Sequence, residues 1–105
     1  ESEHAPEAAG MEKKVLALLA RHELYVADFY LKHEDPEAAI GRLQGMLRSY
    51  EGSGFEPQAL LLMGRTQLFM QDRPAAHATF RELIARYPES GSAVQAERYL
   101  AETGG

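Results

Sequence analysis

Apolar residues recur along this chain at spacings of three and four, in blocks separated by polar or glycine-containing breaks. The first block, 12–32, carries Val15, Leu16, Leu18, Leu19, Leu24, Tyr25, Val26, Phe29, Tyr30 and Leu31. Leu18, Tyr25 and Phe29 keep helical spacing, and so do Leu19, Val26 and Tyr30. The apolar stripe is therefore wider than the ~100° of a one-sided helix and predicts contacts on two sides. A second block, 36–50, places Ile40, Leu43, Met46 and Leu47 on one face. A third, 57–70, carries Leu60, Leu61, Met63, Gly64, Leu68 and Phe69, and a fourth, 74–87, carries Ala76, Phe80, Leu83 and Ile84. The last runs to about 101 with Val94, Ala96, Tyr99 and Leu100. No stretch alternates at period two, so the pattern predicts five helices and no sheet.

The breaks have helix-boundary chemistry. Asp35 is placed to cap a helix that Pro36 opens, and Asp72-Arg73-Pro74 repeats the device. Gly52-Ser53-Gly54 breaks the chain before Pro57, Pro88 ends the fourth helix, and Ser90 or Ser92 caps the fifth. Residues 1–10, ESEHAPEAAG, are small, acidic and aperiodic, the composition of a tail or linker. Gly41 and Gly45, four apart on the second helix, predict a close helix approach, with no apolar 20-mer around them to make a membrane motif. Met46, Met63 and Met70 read as core filler.

Two of these helical pairs are copies. Ala27, Ala39, Leu43 and Tyr50 align with Gly64, Ala76, Phe80 and Tyr87 at a constant offset of 37 residues. The tetratricopeptide repeat has period 34 and the pattern Trp-x2-Leu-Gly-x2-Tyr, Ala-x3-Phe, Pro. The second copy matches with Gly64, Ala76, Phe80 and Pro88; the first with Ala27, Tyr30 and Ala39, Leu43 standing for Phe. The extra residues fall in 51–56. The expected fold is all-α: tetratricopeptide hairpins of a right-handed α-solenoid, one domain over 11–105, with repeats at about 20–54 and 57–90 and a capping helix at 91–102. Small residues at 27, 39, 64 and 76 let paired helices approach, Leu43 and Phe80 fill the gap, and the leading and trailing helices are expected to act as caps.

Composition narrows the function. A net charge of −5 argues against nucleic acid, which calls for clustered Lys and Arg. There is no cysteine, hence no disulfide, no cysteine-ligated metal and no lipidated cysteine within these 105 residues. The longest apolar runs, 15–20 and 59–63, are far short of the ~20 residues that span a bilayer. His22 and His33 are eleven apart, ~16 Å along a helix, too far to share a metal. His33-Glu34-Asp35 reads as a polar turn, and His77 as a solvent-exposed helix residue. Gly52-Ser53-Gly54 lacks the strand and the Gly-Lys-Ser/Thr of a phosphate loop. No nucleophile elbow or paired catalytic carboxylates emerge, so no enzyme, cofactor or metal site is expected.

What remains is surface for a protein partner. In a two-helix solenoid the first helix of each hairpin lines the concave face. Off the packing stripe these helices offer Arg21, Leu24, Asp28, Leu31 and Lys32, then Gln58, Leu61, Arg65, Leu68 and Phe69. Leu61, Leu68 and Phe69 are candidate groove contacts, unless the trailing helix buries them. Leu24, Asp28, Leu61 and Arg65 stand where a two-carboxylate clamp needs Lys and Asn, which argues against binding of acidic chaperone tails.

One segment carries a closer likeness. Leu19, Ala20, Glu23, Tyr25, Val26, Ala27, Phe29, Tyr30 and Leu31, followed by Ala38, Ala39, Ile40 and Arg42, resemble the BamD/YfiO (ComL) family of outer membrane protein assembly lipoproteins. The later segment 58–99, with its RYPES ending, is similar to that family's later repeats. The resemblance implies the C-terminal repeat portion of such a protein, at the periplasmic face of the bacterial outer membrane. It implies a scaffold that contacts other subunits of the β-barrel assembly machine. The residues alone also fit a tetratricopeptide adaptor of another cell-envelope or cytoplasmic complex, or a regulatory domain of an enzyme.

Overall fold

The computed structural model describes residues 12–104. The tail expected at 1–10, His4 within it and the final Gly105 lie outside the described residues. Five helices follow one another: α1 Lys13–Lys32, α2 Pro36–Ser49, α3 Glu56–Phe69, α4 Arg73–Arg86 and α5 Gly91–Glu102. No strand occurs among the described residues. α1 pairs with α2, and α3 with α4; α5 packs on α4 and α3. α3 touches all four other helices. Its sequence explains why. Ala59, Leu60, Leu61, Leu62, Met63, Gly64 and Thr66 are buried, so the helix is apolar nearly all round, as a central helix must be.

The 37-residue repeat is exact down to hydrogen bonds at the turns. α1 closes with a Schellman motif: the N–H of Asp35 donates to the Tyr30 carbonyl (2.8 Å) and that of Glu34 to Leu31 (3.0 Å). α3 closes identically, Asp72 to Gln67 (2.9 Å) and Gln71 to Leu68 (2.9 Å). Each motif needs one left-handed residue, and Glu34 (φ 60°) and Gln71 (φ 62°) supply it. Asp35 then accepts from the Ala38 N–H (3.3 Å), and Asp72 from Ala75 (3.2 Å), capping α2 and α4. Of the two serines weighed for α5, Ser90 is the cap, accepting from Ala93 (3.0 Å).

The loop that lengthens the repeat is closed by Glu56. Gly52 and Gly54 adopt φ of 86° and 91°, which turns both N–H groups inward. Both donate to the buried Glu56 carboxylate, Gly54 at 3.0 Å. The loop is thus an anion nest already filled by the chain's own side chain.

The core has two parts. Ala20, Ala27, Ala39, Leu43, Met46, Ala59, Leu62 and Met63 join α1, α2 and α3. Leu60, Leu61, Ala76, Phe80, Leu83 and Ala96 join α3, α4 and α5. Leu47 packs against both. Several sequence expectations need correction. A Cβ at Gly41 or Gly45 would meet nothing within 4 Å, so neither makes a close helix approach; both lie away from the ridge that α2 buries. Met46 and Met63 are core, but Met70 is exposed at the end of α3. His77 is half-buried, its Nε2 2.7 Å from the Thr103 hydroxyl, which ties α4 to the end of α5. α5 packs on α3 and α4 and exposes mainly polar residues, whereas α1 keeps an exposed apolar face.

Candidate functional site

The strip proposed from sequence resolves into two kinds of residue. Leu24 and Leu31 of α1 pack partly buried against the first core cluster. Their counterparts 37 residues on, Leu61 and Leu68, belong to or pack against the second. Leu61 is only 8% exposed and is core, not groove. The reason is angular: these leucines flank the small residues at 27 and 64, so each turns toward the helix its own helix pairs with. Helical spacing alone does not distinguish that edge from a groove.

The remaining positions face outward and also correspond in register. Arg21, Asp28 and Lys32 of α1 match Gln58, Arg65 and Phe69 of α3. Asp28 and Lys32 form an i,i+4 ion pair at 2.9 Å. Arg65 is exposed, and the Phe69 ring is 51% exposed beside exposed Met70. Arg21 also lines a shallow, mainly apolar cavity of ≈ 310 Å³ with Lys14, Ala17, Leu18 and Phe55. Leu68 lines a wider hollow of ≈ 490 Å³ with Gln71, Arg73 and Thr103. The strip is thus amphipathic, cationic at Arg21 and Arg65 and aromatic at Phe69. The two hollows that border it are open to solvent.

Nearby, Arg42 donates to Glu23 across the α1–α2 pair at 3.1 Å. The hydrogen bond to Glu23, then its charge, holds the guanidinium pKa above the ordinary arginine value. Both residues lie in the segment that carries the family likeness, so this part of the signature is a clasp on the hairpin. No cluster of three His, Cys, Asp or Glu able to hold a metal is found among the described residues. Their buried side-chain polar atoms all have partners. Among the described residues no helix is long and apolar enough to cross a membrane.

Hairpins repeating in register, small-to-large packing between them and an amphipathic outward strip define an all-α protein of the tetratricopeptide class. The sequence profile of the YfiO family, described as an outer membrane lipoprotein, matches residues 1–78. The chain belongs to that family, whose place is the periplasmic side of the outer membrane. It is 39% identical over 62 residues to the outer membrane protein assembly factor BamD of Pasteurella multocida (strain Pm70), a match covering 59% of this chain and 24% of that protein. The aligned part is thus about a quarter of the relative's length. No solved structure matches the chain.

Proposed function

We propose that this chain is a non-enzymatic scaffold in outer membrane β-barrel protein assembly, and that it docks other subunits of the assembly machine through the outward strip of α1 and α3. Arg21, Asp28 and Lys32 contribute from α1, and Arg65 and Phe69 from α3, with Leu24 and Leu68 supporting them from beneath. Leu61 contributes only by holding α3 in place. The observation that carries the reading is Phe69. An aromatic ring half exposed beside an arginine is the composition of an interface anchor. Family membership and the BamD relative supply the process.

The test is binding of purified assembly-machine subunits to the immobilised chain, comparing the natural sequence with Arg65→Glu plus Phe69→Glu. Both residues are exposed, so helix content should stay while binding falls by an order of magnitude or more, the scale of losing an aromatic anchor and inverting a charge (about 2 kcal/mol). Unchanged binding would reject the strip. Absence of binding to every subunit would reject the scaffold reading.

A further inference from the structure

The starts of α3 and α5 lie side by side and border a hollow of ≈ 350 Å³. Its lining pairs residues at the 37-residue offset: Gly54 with Gly91, Phe55 with Ser92, and Gln58 with Gln95. No charged side chain lines it. What the hollow carries is donors. The first N–H groups of a helix have no partner within it. Those of Gly91 and Ser92 find none elsewhere among the described residues. The next N–H, of Ala93, is taken by the Ser90 cap. No acidic residue stands in the first turn of α5 to face its positive end.

Ser92 supplies a second, independent observation. It is only 8% exposed, and its hydroxyl has no hydrogen-bond partner among the described residues. Side-chain polar atoms sealed from solvent there all have partners. The Ser92 oxygen therefore keeps what surface it has toward the hollow that Ser92 lines. Neither capping nor packing accounts for a hydroxyl at this position. Ser90 already caps α5. The earlier repeats place Leu18 and Phe55 here, both apolar. A buried hydroxyl without a partner calls for one from outside the chain. The neighbouring loop shows the completed form: there the Gly52 and Gly54 N–H groups hold the Glu56 carboxylate.

We propose that this hollow binds a tetrahedral oxyanion of the phosphate class, either free or as a phosphate ester. The Gly91 and Ser92 N–H groups and the Ser92 hydroxyl donate to its oxygens. The exposed Gln58 and Gln95 amides add donors at the rim. A helix N-terminus favours an anion through both its free N–H groups and its dipole. Donors from four residues match the several oxygens of a phosphate better than the two of a carboxylate. With no cation in the lining, affinity rests on hydrogen bonds. The nearby carboxylates do not oppose it at contact range: Glu56 is turned into its own loop, and Glu89 is exposed and outside the lining. The inference is independent of what the outward strip holds.

The test titrates the chain with inorganic phosphate and, separately, with glycerol phosphate, read as amide shifts by NMR. Saturable shifts are expected at the Gly91 and Ser92 N–H groups and at the Gln58 and Gln95 side chains. Sodium chloride at equal ionic strength should not produce them. Ser92→Ala should weaken binding about tenfold, the scale of one hydrogen bond to a charged group. Gln95→Glu, on the exposed rim, should abolish binding while circular dichroism shows the helices unchanged. Tighter binding of glycerol phosphate than of inorganic phosphate identifies an ester as the ligand, and the reverse order identifies the free anion. The proposal is overturned by the absence of saturable shifts, by shifts that chloride reproduces, or by binding that Ser92→Ala and Gln95→Glu leave unchanged.

Discussion

The ring of Phe80 lies where a side chain on Gly64 would be: a Cβ there would stand 2.6 Å from Cζ and 2.7 Å from Cδ1. Its other neighbour is Tyr99, stacked nearly parallel at 5.3 Å between centroids. Phe80 is thus clamped between α3 and α5 and fully buried. In the first repeat the same two positions hold Ala27 and Leu43, a larger residue against a smaller one. The hairpins conserve the summed volume and divide it differently.

That exchange predicts a coupling. Gly64→Ala should destabilise by about 1–3 kcal/mol from overpacking, reduced by up to about 1 kcal/mol of gained helix propensity. Phe80→Leu alone should cost about 1 kcal/mol or more through the space it leaves. Together they recreate the first repeat's pair, so the double variant should lose less than the two single costs added. Chemical denaturation of the four proteins of this cycle measures it.

The turns predict a gain. Glu34 and Gln71 occupy left-handed backbone that costs an ordinary residue about 1–2 kcal/mol. Gln71→Gly removes that strain and returns part of it as unfolded-chain entropy, leaving a net stabilisation of about 0.5–1 kcal/mol. Gln71→Val should destabilise. Thermal midpoints of the two variants, shifted in opposite directions, check the assignment.

The 51–56 loop predicts a loss. Glu56→Ala strips the Gly52 and Gly54 N–H groups of their acceptor and should cost about 1–3 kcal/mol. Glu56→Gln keeps one acceptor oxygen and should cost less. Amide exchange at Gly52 and Gly54 should accelerate in both, more in the alanine variant.

Much of the fold was legible because it is repeated. The 37-residue offset, the Asp caps and the five helices all follow from residue types whose chemistry is local. Direction was not legible. Gly41 and Gly45 had the spacing of a contact but face away from one. Leu61 had the spacing of a groove residue but faces core, because leucine suits both. Glu34 and Gln71 gave no sign of left-handed backbone, since neither is the glycine or asparagine that marks it. The bond of His77 to Thr103 joins residues 26 apart in sequence, beyond any local pattern. For the candidate site, residue types marked Arg21, Arg65 and Phe69, but only the packing separated them from the leucines beside them.

The proposed role of the outward strip of α1 and α3 is to hold a subunit of the assembly machine. It is tested most directly by titrating that subunit against the natural chain and against Arg65→Glu plus Phe69→Glu, with circular dichroism recorded on both. The expected result is saturable binding by the natural chain, and binding weakened by an order of magnitude or more at unchanged helix content in the variant. Equal binding by the two proteins, or none by either, would contradict it.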